Sequence, residues 1–450
     1  MDGGELVEKI KGQMVEFNVP GVAVGIRHGE ETFTRGLGVT NVDHPLEVDD
    51  STLFQIGSIS KTFAGTLAMR LVERGELELD EPIRSYLPDF KVLDEEASQE
   101  ATIRHLFTHT AGWVGDWFPE DLGHGDDAVA RYVASMADTP QLTPVGEVLS
   151  YNNAGFNVAG RVFEEVLGGV FSEIMREMLF EPLGMDDTYL LPWDVMTHRF
   201  AVGHSVNDDA PAVARPWSIG RASGPAGGIV TNVRDMMNYA ELQLGDGTYK
   251  GERLLEPESL RSLHTPQVSY APNRSVALTF WVDDHRGART LRHGGGTVGQ
   301  ISLFTLVPDH DFGILLVTNS GTGGQLNLKT TDWALEHYLG VAKPEPTLLD
   351  VPQERLGEYE GSYKATLTAA EVSVDEGKLV VGRRFLGGFP TRDIPPPEAD
   401  PPPPVHYGFY DEDHIVGLEA PFEGDIAQFI RGPDGSIAWM RLGTRIHRPM

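Results

Sequence analysis

The chain has no cysteine. Disulfides, thiolate nucleophiles and cysteine-bound zinc are therefore excluded. Positive charge is scarce: 36 lysines and arginines stand against 67 aspartates and glutamates, for a formal net charge of −31. Only 9 of the basic residues are lysines. So acidic a surface repels phosphate backbones and anionic lipid, which argues against nucleic acid and membranes as partners. No apolar run is long enough to span a bilayer. Met1-Asp2-Gly3-Gly4-Glu5-Leu6 has no basic stretch leading into an apolar one, so the expectation is a cytoplasmic chain without a signal peptide. Its 450 residues exceed one ordinary domain and predict two.

What is present begins at Gly57-Ser58-Ile59-Ser60-Lys61-Thr62-Phe63. Ser58 and Lys61 are three residues apart where a helical pattern starts, and such residues share a helix face. A serine hydroxyl is a weak nucleophile until an adjacent base takes its proton. Phe63, Leu67, Ala68, Leu71 and Val72 follow at helical spacing, with Gly75 as the stop. Alone, the Ser-x-x-Lys spacing also fits a serine N-cap beside a solvated lysine. Two later segments decide between these. Ser150-Tyr151-Asn152-Asn153-Ala154-Gly155 leads into a second helical stretch, and His293-Gly294-Gly295-Gly296 leads into the strand-like run Gln300 to Val307.

In this order, 93 and 142 residues apart, the three elements resemble the penicilloyl serine hydrolases, the DD-peptidases and serine β-lactamases. The class C-like branch, with its esterases and D-aminopeptidases, is most similar. Thr102 to Gly112 and Pro225-Ala226-Gly227-Gly228-Ile229 also resemble segments of this branch. The resemblance covers about residues 5–340. It implies Ser58 as nucleophile, Lys61 as base and Tyr151 as proton relay. Asn153, His293 and Gly295 are expected to bind substrate, and the backbone N–H groups of Ser58 and Gly296 to form the oxyanion hole. His293 stands where β-lactamases usually have lysine, so it is expected to bind a substrate carboxylate or to share the Tyr151 proton.

The expected fold class is α+β, an antiparallel sheet flanked by helices with a helical subdomain, followed by a small all-β barrel. The expected division is 1–340 for the hydrolase domain, 341–352 for a linker with Pro344, Pro346 and Pro352, and 353–450 for the β-domain. Leu6 to Phe17 reads as the opening helix, Val22 to Ile26 and Thr32 to Gly36 as a hairpin, and Leu326 to Leu339 as the last helix of the first domain. In the second domain, Asp375-Glu376-Gly377 and Gly432-Pro433-Asp434-Gly435 read as hairpin turns. The start Leu356 to Tyr363 resembles the lipocalin-like barrel appended to some relatives. Pro395–Pro397 and Pro401–Pro404 read as a stiff loop between strands rather than a polyproline ligand.

Other patterns carry less. His105 and His109, four apart on an expected helix, lack a third acidic ligand, and a structural role is favoured over metal. Gly294 to Gly299 fits the dinucleotide pattern Gly-x-Gly-x-x-Gly, but a strand follows instead of a helix. No cofactor or metal is therefore expected. Trp113, Trp117 and Phe118 read equally as packing or as the rim of a substrate mouth. Arg441 and Arg445 are favoured as solvated charge on a barrel strand, against a role in binding a substrate carboxylate. The function expected is a serine hydrolase acting through an acyl-enzyme on amides or esters, on peptides with D-residues by resemblance. The alternatives are an acyltransferase or peptide-cyclising thioesterase, a β-lactamase, and a non-catalytic binding or sensor protein. The expected partner is a small peptide, amide or ester substrate, and a homo-oligomer is allowed.

Overall fold

Period-two burial organises the first half of the molecule. In a computed structural model that describes residues 3–120, 122–207, 210–217, 219–285, 287–397 and 400–450, the strands Gly21–His28 and Phe312–Thr318 are apolar on both faces. Val22, Val24, Ile26, Ile314 and Leu316 pack under the helices Gly4–Glu16 and Gly323–Leu339, with Leu6, Ile10 and Leu326. Ala23, Leu315 and Val317 face the other way, into the larger core of Ser60–Glu73, Asn153–Leu167 and Val233–Leu244. A sheet covered on both faces needs such continuous apolar runs. Met1 and Asp2 of the N-terminal reading lie outside the described residues.

The sheet is antiparallel, with the order Glu31–Gly38, Gly21–His28, Phe312–Thr318, Gln300–Val307, Ala288–Thr297, Trp281–His285, Arg274–Val276 and Val268–Ala271. The expected α+β architecture is thus observed, with two differences. Strands between 268 and 297 were not foreseen, because polar residues and glycines interrupt them. The glycines after His293 are not a loop before a strand but part of the strand Ala288–Thr297. That strand pairs with Gln300–Val307 along its C-terminal half, whereas its other neighbour begins only at Trp281, opposite Arg292. Beyond Arg292 no described strand pairs with this edge.

A closed eight-stranded antiparallel barrel follows the sheet, and Tyr363 pairs with Pro449 to join its first and last strands. Tyr359, Leu379, Val381, Tyr407, Phe409, Phe429 and Met440 fill it. The segment 341–352 is extended and tied to the barrel, where the Leu349 N–H donates to the Phe409 carbonyl at 2.7 Å. The proline runs lie on the long connection between Lys378–Phe385 and Val405–Phe409. On the same connection, Phe389 meets Phe118 edge-on at 5.2 Å, and the Arg392 N–H donates to the Phe118 carbonyl at 3.1 Å. The barrel is therefore docked against the first domain.

Candidate active site

Ser58 sits on the short 3-10 turn Gly57–Ile59, two residues ahead of Ser60, where the buried helix Ser60–Glu73 begins. The turn is braced from both sides. Ser60 Oγ donates to the Gly57 carbonyl at 2.7 Å and accepts from the Ile229 N–H at 3.1 Å. Ser302 Oγ donates to the Ile56 carbonyl at 2.7 Å. Gly57 has φ +53°, and a Cβ there would lie 2.6 Å from the Gly296 nitrogen. Any other residue would push the strand away from the serine. Gly295 is as constrained, since its Cβ would lie 1.8 Å from the Ile56 carbonyl oxygen.

Lys61 is fully buried one turn on. Its Nζ lies 3.1 Å from Ser58 Oγ, donates to Asn153 Oδ1 at 2.8 Å and donates to the Ala226 carbonyl at 2.5 Å. Burial holds its ammonium well below the ordinary lysine range, and the nearby Arg445 pushes the same way; Asp116 opposes them. Tyr151 lies between two cations, with Lys61 Nζ 5.0 Å and Arg445 Cζ 4.6 Å from its ring centre. Burial raises its phenol above the ordinary range, and a hydrogen bond to Ser58 partly offsets this.

His293 is buried, and its Nδ1–H donates to the Gly294 carbonyl at 2.6 Å. Nε2 is then an acceptor, and it is without a partner among the described residues. Burial first, then the Lys61 charge, pushes the imidazole down to about 3. A neutral ring presenting a lone pair favours the second of the two expectations, sharing the Tyr151 proton, over binding a carboxylate. A ring that accepts a proton or hydrogen bond remains.

These groups share one cavity of about 420 Å³. Ser58, Tyr151, Asn153, His293 and Gly294 to Gly296 line one side, while Leu367, Phe385, Phe389, Thr444 and Arg445 come from the barrel. The barrel contribution is structural as well as spatial. Gly443 and Thr444, with φ +54° and +67°, form a tight two-residue turn between Ile437–Leu442 and Arg445–Pro449. The Thr444 carbonyl accepts from the Tyr151 N–H at 2.9 Å. Arg445 Nε and Nη2 grip Asp116 at 2.5 and 3.1 Å, and Asp116 Oδ1 accepts from Asn153 Nδ2 at 2.7 Å. A continuous chain thus runs Ser58–Lys61–Asn153–Asp116–Arg445.

The match to known proteins follows the same division of the chain. The family model described as beta-lactamase matches residues 6–339. The chain belongs to the beta-lactamase family. Within that family, "Penicillin-binding protein 4" of Amycolatopsis lactamdurans is 31% identical over 347 residues, 75% of this chain and 91% of that protein. A structure titled "Crystal structure of SurE" superposes with a TM-score of 0.75 at 23% identity, over 99% of both chains, and so shares the fold including the barrel. The class C beta lactamase of Rhodobacter sphaeroides superposes with a TM-score of 0.64 at 24% identity, covering 74% of this chain and 99% of its own. The family match ends before the barrel begins.

Two sequence readings are overturned. Arg441 and Arg445 are not solvated surface charge: Arg441 is 7% exposed, and Arg445 lines the cavity. His105 and His109 do not share a helix face, because the helix Ile103–Phe107 ends between them and His109 has φ +59°. The His109 ring is instead buried against Tyr151 and stacks on Trp281. Of the three aromatics after it, Trp113 is core, Trp117 is packed against the core, and only Phe118 reaches the cavity. Asp116 was missed altogether. No spacing marks it among the acids of its loop, and its partner arrives 329 residues later.

Proposed function

We propose that this chain is a serine hydrolase that forms an acyl-enzyme at Ser58 with amide or ester substrates, and that these are peptides containing D-residues. The observation that carries the reading is Lys61 Nζ, buried and 3.1 Å from Ser58 Oγ. Held below its ordinary pKa, the amine takes the Ser58 proton as Oγ attacks the carbonyl carbon. The backbone N–H groups of Ser58 and Gly296 then receive the oxyanion. Support for that pairing is the close approach of the Gly57 and Gly296 backbones. Tyr151 passes the proton to the leaving group, and the neutral His293 Nε2 accepts from Tyr151 or from a substrate N–H. The edge from His293 to Thr297 that no described strand pairs offers backbone groups to an extended peptide. The preference for D-residues rests on the resemblance, and on the likeness of fold to a structure titled "Crystal structure of SurE with D-Leu".

A second reading is favoured by the cavity wall. Leu367, Phe385, Phe389 and Phe118 bring apolar side chains to the cavity that Ser58 also lines. Such a wall disfavours water and suits an amine acceptor, so the acyl group would be transferred rather than hydrolysed. Intact-mass analysis with a fluorophosphonate and with a fluorescent penicillin tests the acyl-enzyme. A single adduct is expected, absent in folded Ser58→Ala protein; turnover that survives this substitution refutes the reading. Paired D- and L-aminoacyl esters, with and without an added amine, then assign stereochemistry and acceptor.

A further inference from the structure

A second cavity of about 400 Å³ lies at the end of the sheet remote from Ser58, and no residue lines both spaces. Arg289 on its wall and Gly296 in the reaction cavity stand near opposite ends of the strand Ala288–Thr297, about 20 Å apart at the usual strand rise. Its size suits a small molecule. Leu244, Leu260, Leu291, Pro257 and Pro308 give it apolar sides. Four charged side chains join them, and two of these are already neutralised. Asp246 is paired with Arg253 at 3.1 Å, and Arg261 with Glu258. Arg289 and Asp309 remain, one of each sign, and neither has an ion-pair partner among the described residues.

Arg289 is held in place by the fold. Its Nη2 donates to the His264 carbonyl, at the end of the helix Pro257–His264. Its Nε is buried and donates to no described residue. His264 adds no charge, since burial first and the Arg289 charge second push its ring down to about 3. The ring Nε2–H donates to Gln243 Oε1 at 2.8 Å, and Gln243 Nε2 donates to Thr66 Oγ1 at 3.0 Å. Thr66 belongs to the buried helix Ser60–Glu73, so this polar wall is fixed from the core side. A desolvated guanidinium N–H without an acceptor is costly, and an anion accepting from it removes that cost. The opposite polarity is also present. Gln243, Leu244 and Gly245 bring the C-terminal end of Val233–Leu244 to the cavity, and helix C-terminal carbonyls carry the negative end of the dipole. Asp309, exposed on the turn Pro308–His310, adds a full negative charge. A simple anion would be repelled by Asp309, and a simple cation by Arg289. A ligand carrying both charges is opposed by neither.

We propose that this second cavity is a binding site for a free α-amino acid with an apolar side chain. Its carboxylate accepts from Arg289, whose planar guanidinium matches that group in geometry and charge. Its ammonium takes Asp309 and the carbonyls at the end of Val233–Leu244. Its side chain lies among Leu244, Leu260 and Leu291. No residue of the reaction cavity takes part, so the site stands or falls apart from the chemistry at Ser58.

Binding is measured by calorimetry on full-length Ser58→Ala protein, in which no probe is consumed. The probes are D- and L-leucine, N-acetyl-leucine, leucinamide, alanine and inorganic phosphate. At least one leucine enantiomer is expected to bind about 10- to 100-fold more tightly than its N-acetyl or amide derivative, each of which lacks one charge. It should also exceed alanine of the same hand by about 10-fold, for the apolar side chain. In Arg289→Gln, leucine and N-acetyl-leucine should both weaken while leucinamide is unchanged, and Arg289→Lys should recover part of the loss. Asp309→Asn, on an exposed turn, should weaken leucine and leucinamide and spare N-acetyl-leucine; it carries the test should Arg289→Gln fail to fold. Leucine that binds no more tightly than its derivatives, or than alanine, overturns the proposal. So does leucine binding that persists in Arg289→Gln, which puts the ligand elsewhere, the reaction cavity included. Phosphate or N-acetyl-leucine binding as tightly as leucine makes the cavity a plain anion site and overturns the amino-acid assignment.

Discussion

Removing Asp116 tests whether the barrel is held in the active site by charge. Asp116 is 4% exposed at its side chain, and Arg445, 26% exposed, grips it through two nitrogens. Asp116→Ala leaves that guanidinium in the cavity without a carboxylate. Breaking a buried pair from one side costs about 3–5 kcal/mol, and the partial exposure of Arg445 places this pair near the lower end. The same substitution frees Asn153 Nδ2. The barrel turn that covers Tyr151 should then open more easily by about 3 kcal/mol, or ~100-fold in population. The Tyr151 N–H, bonded to the Thr444 carbonyl at 2.9 Å, reports that opening directly. Hydrogen exchange at Tyr151 should accelerate by about that factor. Exchange in the barrel core at Tyr407 and Phe429 should hardly change. In the double variant Asp116→Ala with Arg445→Ala neither charge is stranded, so exchange should be slower than in Asp116→Ala alone. Unchanged exchange at Tyr151, or losses that simply add in the double variant, would refute the argument.

Lys61→Ala and Tyr151→Phe should each lower kcat by several orders of magnitude, and the double variant little further, because groups moving one proton act as a unit; steady-state kinetics on an activated ester checks this. The pH dependence has a fixed sign. In the proposed mechanism the acylating form has Lys61 neutral, so kcat/KM should rise with pH through the folded pKa of Lys61, which burial and Arg445 hold below the ordinary lysine value. Arg445→Gln removes a charge that opposes protonation, so the acidic limb of the pH–rate profile should move to higher pH. An unmoved limb would mean that Arg445 does not act on Lys61. Stability carries the same sign: the unfolded chain binds this proton more readily, so stability should increase as pH rises from the folded value toward 10.5. Gly295→Ala should abolish acylation, since its methyl group would occupy the space of the Ile56 carbonyl; wild-type labelling rates in that variant would show the strand to be movable.

The elements most readable from sequence were those with local cause. The helix after Ser58 shows its apolar period in the chain, and observed Ser60–Glu73 follows it. The run Gln300–Val307 is a strand as its apolar pattern implies, and the hairpin at Asp375-Glu376-Gly377 follows from its turn residues. Strands 268–285 escaped notice because polar residues interrupt their pattern. At the site, Ser58, Lys61, Tyr151, Asn153 and His293 were named from short motifs, and the structure gathers them. Asp116, Thr444 and the buried positions of Arg441 and Arg445 were not legible, because an arginine on a strand looks the same whether it faces water or a neighbouring domain. The two roles expected for His293 were left open for a related reason: its burial and the nearness of Lys61, which favour a neutral ring, are not written near it in the chain.

The turn at Gly443 and Thr444 also bears on how the molecule is made. The contact between Asp116 and Arg445 joins positions 329 residues apart, a separation that must wait for most of the chain. During synthesis the sheet and helices carrying Ser58 leave the ribosome well before the strand carrying Arg445. Until that strand arrives, Asn153 lacks the anchored carboxylate and Tyr151 lacks its carbonyl cover. Ser58 is therefore without the barrel side of its cavity while translation continues, and that cavity is completed by residues translated late. A truncated product of the gene would carry every motif residue and still lack the clasp that orders them.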